Sequence, residues 1–153
     1  MGQPQFMPSS YLRFAVDFDG DGRKDIWRSP SDVFASIANY LKENGWTAGQ
    51  TWGREVKLPG EVSTITEAAP LRQEGCAAER GMTIPLPLAQ WQDMGVTRVD
   101  GGRLPNASLT ASLVRGETRN FLVYGNYGAL LEYNCAHAYA LSVGLLADRL
   151  LGR

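Results

Sequence analysis

Three aspartates are crowded into the segment Asp17-Phe18-Asp19-Gly20-Asp21-Gly22, and this spacing limits the local fold more than any other feature of the chain. Carboxylates this close repel one another, so a cation is their natural partner. Asp17, Asp19 and Asp21 are spaced like positions 1, 3 and 5 of an EF-hand loop, and Gly22 matches its turn glycine. The segment therefore indicates a site for calcium or a similar hard cation.

The rest of the EF-hand pattern is only partly present. The backbone carbonyl of Arg23 would serve as the seventh position and Asp25 as the ninth. Arg28 occupies the twelfth position, where a bidentate Glu is usual, so Asp32 is the candidate replacement if the loop is longer. The alternative is a solvated turn in which Asp32 serves only the N-terminus of the next helix. Either role is structural, because carboxylates that fill the site leave no open catalytic position.

A helix is predicted directly after this loop. Ser29-Pro30-Ser31-Asp32 combines an N-cap serine, a proline in the first turn and an acid three residues after the cap. Apolar residues then follow at helical spacing, and Asn44-Gly45 is a stop signal. Residues 1–28 are rich in Gly, Pro, Ser and Asp, and an ordered loop is expected there.

The pattern changes twice more along the chain. Short strands are predicted at Glu55–Leu58, Met82–Leu86 and Asn120–Tyr124, the last paired with Leu113-Val114, with a short helix from Leu88 to Met94. Helices are predicted from Tyr127 to Tyr133 and from Cys135 to about Leu151, and the second is apolar on several faces, which predicts burial. The expected fold class is α+β, with a helical core over residues 1–48 and 125–153 and an antiparallel β subdomain inserted over residues 49–124.

Composition excludes several classes of function. The formal net charge is −1 and the basic residues are scattered, which argues against a nucleic-acid partner. No apolar run is long enough to span a bilayer, and no signal peptide is visible. His137 is the only histidine, which argues against a histidine-based metal centre or a Ser-His-Asp site. Cys76 and Cys135 form either one disulfide or two buried thiols.

Several motifs lie near the two ends of the chain. They are Gly2-Gln3-Pro4-Gln5-Phe6-Met7-Pro8-Ser9-Ser10-Tyr11, Ala15-Val16-Asp17 with its acidic loop, Ala38-Asn39-Tyr40, Gly45-Trp46, Tyr133-Asn134, and Tyr139-Ala140 with Val143. Together these segments resemble those of the lytic murein transglycosylases of the membrane-bound B type. The resemblance is weak across residues 50–120.

The resemblance implies a lysozyme-like core with an EF-hand-like loop and a small inserted β subdomain. It implies cleavage of the MurNAc–GlcNAc β-1,4 bond of peptidoglycan with formation of 1,6-anhydromuramoyl ends. One Glu acts as acid and then as base, unlike the two-carboxylate scheme of most glycosidases. Glycan strands would be the partner, Ca²⁺ the structural cofactor with no organic cofactor, and the periplasm the location, with or without an outer-membrane anchor.

The family's catalytic Glu lies upstream of the Gly-Gln-Pro-Gln motif, which here follows directly after Met1. None of the glutamates in the chain stands in the family's context for that acid. They are Glu43, Glu55, Glu61, Glu67, Glu74, Glu79, Glu117 and Glu132. We therefore expect the C-terminal portion of such an enzyme, inactive alone, with the acid/base Glu upstream of Met1. The alternatives are a non-catalytic, calcium-stabilised peptidoglycan-binding module and a loop that serves partner binding.

Five residues match positions that the family uses to hold substrate: Gln5, Tyr40, Asn134, Tyr139 and Tyr133. An amide can donate to and accept from sugar hydroxyls, and aromatic rings suit the apolar faces of pyranoses. Each residue also has a structural alternative. These are a loop-bracing amide for Gln5, a core position for the tyrosines and a helix N-cap for Asn134.

Overall fold

The computed structural model describes residues 1–60 and 63–152, so that Glu61 lies outside the described residues. The backbone divides into two units, Met1–Trp46 and Thr47–Arg153. The proposed insertion of a β subdomain between two parts of a helical core stays a prediction. No described helix has the length and apolar character needed to cross a membrane.

Unit 1 contains two helices, α1 (Pro8–Phe14) and α2 (Pro30–Glu43). The expectation of a loop over residues 1–28 is wrong for α1, which starts at a proline but has no side-chain N-cap. Only the start signal at Pro8 marked it in the sequence. In α2, the Ser29 side chain accepts the Asp32 N–H and Asn44 follows as C-cap, so the predicted helix is confirmed.

The sheet of unit 2 is antiparallel and has five strands in the order β2-β4-β5-β1-β3. The strands are β1 (Gly53–Lys57), β2 (Leu86–Pro87), β3 (Thr97–Arg98), β4 (Thr110–Arg115) and β5 (Asn120–Val123). Adjacent β4 and β5 pair with Leu113 opposite Leu122, which confirms the predicted hairpin. The expected strand over Met82–Leu86 is wrong over most of its length, because the chain there forms only an isolated bridge, Leu71 to Thr83, before it reaches β2.

In the part of unit 2 that the structure describes, five helices accompany the sheet. They are α3 (Ser63–Ala68), α4 (Ala77–Arg80), α5 (Leu88–Asp93), α6 (Gly125–Tyr133) and α7 (His137–Leu150). The predicted helices α5 and α6 are confirmed, and α3 and α4 were not predicted. Trp91 of α5 is fully buried against the sheet and donates its indole N–H to the Ala111 carbonyl at 2.9 Å. This contact places α5 on the apolar face of the sheet.

The start and the burial of α7 differ from the sequence-based expectation. Asn134 is the C-cap of α6 with extended backbone, so its predicted role as N-cap of α7 is wrong. Among the described side chains of α7, Ala140 and Gly144 are buried, whereas Leu146 and Leu150 are exposed. The predicted burial of the whole helix is therefore wrong, because α7 packs through a narrow face of small residues.

A disulfide joins Cys76 and Cys135, 59 residues apart, which decides between the two alternatives left open by the sequence. Asn126 makes a second connection across unit 2. Its amide oxygen accepts the Thr47 N–H, and its amide nitrogen donates to the Thr47 and Gln50 carbonyls. These contacts tie α6 and the segment before α7 to distant parts of the chain.

Candidate functional site

The acidic loop brings three carboxylates together. Oxygen atoms of Asp17, Asp19 and Asp32 all lie within 4.8 Å of one another. Asp32, at the start of α2, is completely buried, whereas Asp19 is exposed. Asp17 and Asp32 are 15 residues apart in the sequence, and the fold brings their carboxylates together. This arrangement fits the expectation of a cation loop that is longer than that of an EF-hand.

Backbone N–H groups hold these carboxylates in place. Asp17 accepts the N–H groups of Gly20 at 2.7 Å and Gly22 at 2.9 Å. Both glycines have positive φ, 77° and 87°, which L side chains rarely adopt. The glycines of the motif therefore let the loop wrap around the Asp17 carboxylate.

Asp32 is held from two sides. It accepts the N–H of Phe18 at 2.9 Å and that of Asp25 at 2.8 Å. The Phe18 N–H is the largest cause that keeps the Asp32 pKa below its ordinary value, and it outweighs the opposing effect of desolvation. Asp32 is therefore ionised at neutral pH, as a cation ligand must be.

The Asp19 carboxylate has hydroxyl partners that the sequence reasoning missed. Ser29 and Ser31 donate to its Oδ2 at 2.9 Å and 3.3 Å. Both serines belong to the helix-start signal of α2, and that signal alone indicated capping rather than support of the loop. Three of the four residues that begin the helix, Ser29, Ser31 and Asp32, therefore also complete the acidic site.

Hard oxygen donors of this kind suit Ca²⁺ or Mg²⁺. Within the described part of the chain, no Lys or Arg forms an ion pair with the three carboxylates, so their charge has no basic side-chain partner. Asp21 lies outside the three-carboxylate cluster and accepts the Arg23 N–H at 2.8 Å. Ligation by Asp21 and by the Arg23 carbonyl stays a prediction.

Gln5 lies in the tight N-terminal loop. It is the only described non-glycine residue with positive φ, at 58°, and its side-chain amide donates to the Gly2 carbonyl at 2.7 Å. The Gly2 backbone is pressed against Ile26, where a Cβ would fall 2.7 Å from Ile26 atoms. Gln5 is exposed, and its hydrogen bond to the Gly2 carbonyl supports the loop-bracing role.

Tyr40, on α2, is half-buried in an aromatic cluster. Its ring centroid lies 4.7 Å from that of Phe14 and 5.7 Å from that of Phe6. These contacts account for a packing role at the edge of the core of unit 1. A sugar contact by Tyr40 stays a prediction.

Tyr133 and Tyr139 form a pair that the sequence did not predict. Their rings are stacked, with centroids 6.2 Å apart and an interplanar angle of 17°. Asn134, which follows Tyr133, is exposed in the extended segment between α6 and α7. Both tyrosines are half-buried, and desolvation raises the pKa of Tyr139. The fold thus brings three of the five predicted substrate residues into one stretch of unit 2.

Comparison with known proteins identifies the family. The transglycosylase SLT domain matches residues 1–148. Over 155 aligned residues the chain is 38% identical to the membrane-bound lytic murein transglycosylase B of Escherichia coli K12, covering 97% of this chain and 37% of the relative. The chain thus spans little more than a third of that relative's length.

Two solved structures show the same fold. SltB3 of Pseudomonas aeruginosa, in complex with NAG-anhNAM-pentapeptide, has 47% sequence identity and a TM-score of 0.84 over 99% of this chain and 38% of that chain. The Escherichia coli lytic transglycosylase Slt35, in complex with calcium, has 31% identity and a TM-score of 0.69 over 97% of this chain and 43% of that chain. The chain therefore belongs to the transglycosylase SLT domain family, which confirms both the resemblance and the predicted lysozyme-like α+β fold.

Proposed function

We propose that the chain is the substrate-holding part of a peptidoglycan lytic transglycosylase that cleaves MurNAc–GlcNAc β-1,4 bonds and leaves 1,6-anhydromuramoyl ends. The observation that carries this proposal is the family match over residues 1–148. Support comes from the 47% identity to a relative that is bound to NAG-anhNAM-pentapeptide. The partner is accordingly a peptide-bearing glycan strand.

The role of each substrate residue follows from its chemistry. The stacked rings of Tyr133 and Tyr139 form an aromatic platform for a pyranose face. The exposed Asn134 amide beside them can donate to and accept from an N-acetyl group. Gln5 and Tyr40 would add further contacts, with the Gln5 amide exchanging its bond to Gly2 for one to a sugar hydroxyl.

We assign the general acid to none of the described glutamates. Glu55 is paired with Arg119, and Glu79 accepts the Cys76 N–H at 2.8 Å. None of the glutamates in the chain stands in the sequence context that the family uses for its general acid. The 153-residue chain alone is expected to bind glycan without cleaving it.

A binding experiment tests the sugar platform. The chain is titrated with the peptide-free disaccharide NAG-anhNAM, and binding is followed by NMR. Tyr133→Ala and Tyr139→Ala should each weaken binding, by about tenfold for the loss of one stacking face. Tyr11→Ala is the matched control, because Tyr11 lies beside Trp27 in unit 1, with ring centroids 5.6 Å apart and a tilt of 50°. No binding by the parent chain would contradict the proposed function.

A digestion experiment tests the reaction class. Sacculi are treated with the chain and with a longer version that carries the upstream region of its gene, and the products are analysed by mass spectrometry. We expect 1,6-anhydromuropeptides from the longer version only. Reducing ends alone would indicate a lysozyme-type hydrolase, and no products from either protein would favour the non-catalytic binding module.

We also propose that the acidic loop binds Ca²⁺ as a structural ion. Three converging carboxylates support this, because no described basic side chain pairs with them, and so does the calcium complex of the related Slt35. Asp17, Asp19 and Asp32 would hold the ion, with Asp21 and the Arg23 carbonyl as further candidates. The ion would neutralise the negative charge of these carboxylates at the base of the N-terminal loop.

The periplasm is the proposed location. The Cys76–Cys135 disulfide is typical of an oxidising compartment, and peptidoglycan is found there.

A further inference from the structure

The junction between α6 and α7 (residues 134–136) lies between the two stacked tyrosines and has little local support. Asn134 and Ala136 are both extended, with φ of −152° and −145°. Among the described residues, no side chain caps the start of α7, where a cap would ordinarily accept a backbone N–H. Contacts from elsewhere in the fold therefore determine the conformation of the junction.

The disulfide reaches the junction at its central residue. Cys135 is bonded to Cys76, the N-cap of α4, from 59 residues away. The Ala78 N–H of α4 donates to the sulfur of Cys135 at 3.4 Å. A Cβ at Gly81, which ends α4, would fall 3.4 Å from Nε2 of His137. The helix α4 thus lies along the junction from Cys135 to the first residue of α7.

The segment that carries α4 is itself attached to the sheet. Thr83, which follows α4, donates its N–H to the Leu113 carbonyl at 3.2 Å and accepts the Leu113 N–H with its hydroxyl at 2.9 Å. Arg72, which precedes α4, donates its Nη2 to the Ser112 hydroxyl at 2.8 Å. Both Leu113 and Ser112 belong to β4, which lies inside the sheet between β2 and β5. The disulfide therefore connects the junction to a fixed part of unit 2.

A second contact holds the junction from the side of α6. His137 Nδ1 lies 2.9 Å from the hydroxyl of Tyr127, and the two rings are stacked with centroids 6.0 Å apart. Tyr127 is completely buried, so it provides a rigid support. Tyr133 and Tyr139 stand two residues before and four residues after Cys135. Their stacking across the break between the helices requires the junction to keep one conformation.

The disulfide is accessible to a reductant. Cys76 and Cys135 are both half-buried, and the residues that precede Cys76, from Gln73 to Gly75, are exposed. A small dithiol can attack one sulfur through its thiolate and form a mixed disulfide, which its second thiol then resolves. The products are free thiols at Cys76 and Cys135 and a cyclic disulfide of the reductant, which supplies both electrons and both protons.

We infer that the Cys76–Cys135 disulfide is a positioning element for glycan binding, and that its reduction by a dithiol lowers the affinity for glycan strands. The inference rests on the proposed function, because Tyr133, Asn134 and Tyr139 must contact the sugar for their position to matter. The cysteines do not contact the glycan. They order the junction before binding, so that this conformational entropy is not lost when the sugar binds.

The test compares the oxidised and the reduced 153-residue chain by titration calorimetry with NAG-anhNAM. Reduction with dithiothreitol should weaken binding by about tenfold, the effect of ordering the backbone of about one residue. Reoxidation should restore the affinity. The double variant Cys76→Ala/Cys135→Ala should bind like the reduced parent and should not respond to the reductant.

NMR provides a readout that a general effect on stability would not change. In the reduced, unliganded chain the ring contacts between Tyr133 and Tyr139 should be lost. The indole N–H signal of Trp91 should persist, because its hydrogen bond to Ala111 reports on the core below the sheet. Ring contacts that survive reduction would overturn the inference.

Ala136→Gly is a second variant, which keeps the disulfide and gives the junction more backbone freedom. It should weaken binding by the oxidised chain by about threefold. Leu88→Ala is the matched control, because it removes a buried core side chain of unit 2 and keeps the disulfide and both tyrosines. Measured at a temperature where this variant is folded, its affinity should equal that of the parent.

The outcomes separate this inference from the proposed function. Equal affinity of the oxidised and reduced parent would overturn the inference and leave the proposed function standing. A similar loss of affinity in Leu88→Ala would also overturn it. If reduction removes the Trp91 signal, Ala136→Gly decides: a loss of affinity supports the inference and parent-like affinity rejects it. Failure of the oxidised parent to bind would contradict the proposed function, and the inference would be rejected with it.

Discussion

The indole of Trp52 lies directly on Gly144, so close that a Cβ at Gly144 would fall 2.6 Å from the ring. The same indole donates its N–H to Asp148 of α7 at 2.9 Å. One aromatic residue before β1 thus determines how closely the last helix approaches the rest of unit 2. Glycine is required at this point because of close packing, not because of its backbone angles.

Gly144→Ala should therefore destabilise the protein. Overpacking costs about 1–3 kcal/mol, and the gain in helix propensity of about 1 kcal/mol offsets only part of it. Urea unfolding would measure the loss. Gly128→Ala is the control, since no heavy atom lies within 4 Å of its Cβ position, and its stability should be equal or higher. An equal loss of stability in the two variants would contradict the close packing of Gly144 against Trp52.

Removal of the disulfide should cost considerably more. Cys76 and Cys135 are 59 residues apart, and the loop-closure relation gives about 4 kcal/mol for a loop of that length. The double variant Cys76→Ser/Cys135→Ser should unfold at a lower urea concentration than the parent chain. A reducing agent should lower the parent's midpoint and leave that of the variant unchanged. If reduction does not change the urea midpoint of the parent chain, the disulfide does not stabilise the folded state.

His137 should titrate below the ordinary value of 6.5. Desolvation of the ring is the main cause, and it outweighs a contact with the Ala78 backbone that acts in the opposite direction. The ring's Nδ1 lies 2.9 Å from the Tyr127 hydroxyl. A lowered pKa in the folded state means that the unfolded chain takes up the proton first. Stability should therefore fall as the pH drops from 6.5 through the folded-state pKa.

The single histidine makes this measurement direct. Its ring resonances can be followed by NMR, and urea midpoints can be compared between pH 7.5 and pH 5. His137→Gln should flatten that pH dependence. Tyr127→Phe should leave the pKa below 6.5, because burial rather than this hydrogen bond lowers it. A pKa at or above 6.5 would show that the ring is solvated.

Calcium should raise the melting temperature of the parent chain, since an ion that binds only the folded state stabilises it by mass action. At one hundred times the dissociation constant the gain is about 2.7 kcal/mol. Asp17→Asn should abolish the shift, because it removes one of the three clustered carboxylates. Asp21→Asn is the comparison that decides whether Asp21 ligates. The absence of a shift in the parent at millimolar calcium would contradict the cation site.

Elements with local signals could be predicted from the sequence. The Ser29 cap and the Asn44-Gly45 stop define α2 within their own few residues, and the β4–β5 hairpin pairs neighbouring strands. The acidic loop could also be predicted, because its motif lies within a few consecutive residues. Helix α1 was missed because its only signal is Pro8, in a segment whose Gly and Pro content is typical of loops.

Long-range contacts could not be predicted. The sequence left the cysteines undecided, and it placed the start of the last helix at Cys135 instead of His137. The segment that carries Cys135 is extended where it reaches its partner, so α7 starts two residues later. This extended break also lets Tyr133 and Tyr139 stack, which no helical spacing predicts.

By itself, the sequence determined the family, the α+β class, helix α2 and the residues of the acidic loop, because these depend on motifs and on signals between near neighbours. Only the tertiary structure decided that Asp32 joins Asp17 and Asp19, that Cys76 pairs with Cys135, and that α7 packs through Gly144. Each of these depends on burial and distance between residues far apart in the chain. Such contacts are selected by packing and by hydrogen bonding of the whole fold, which no local pattern encodes.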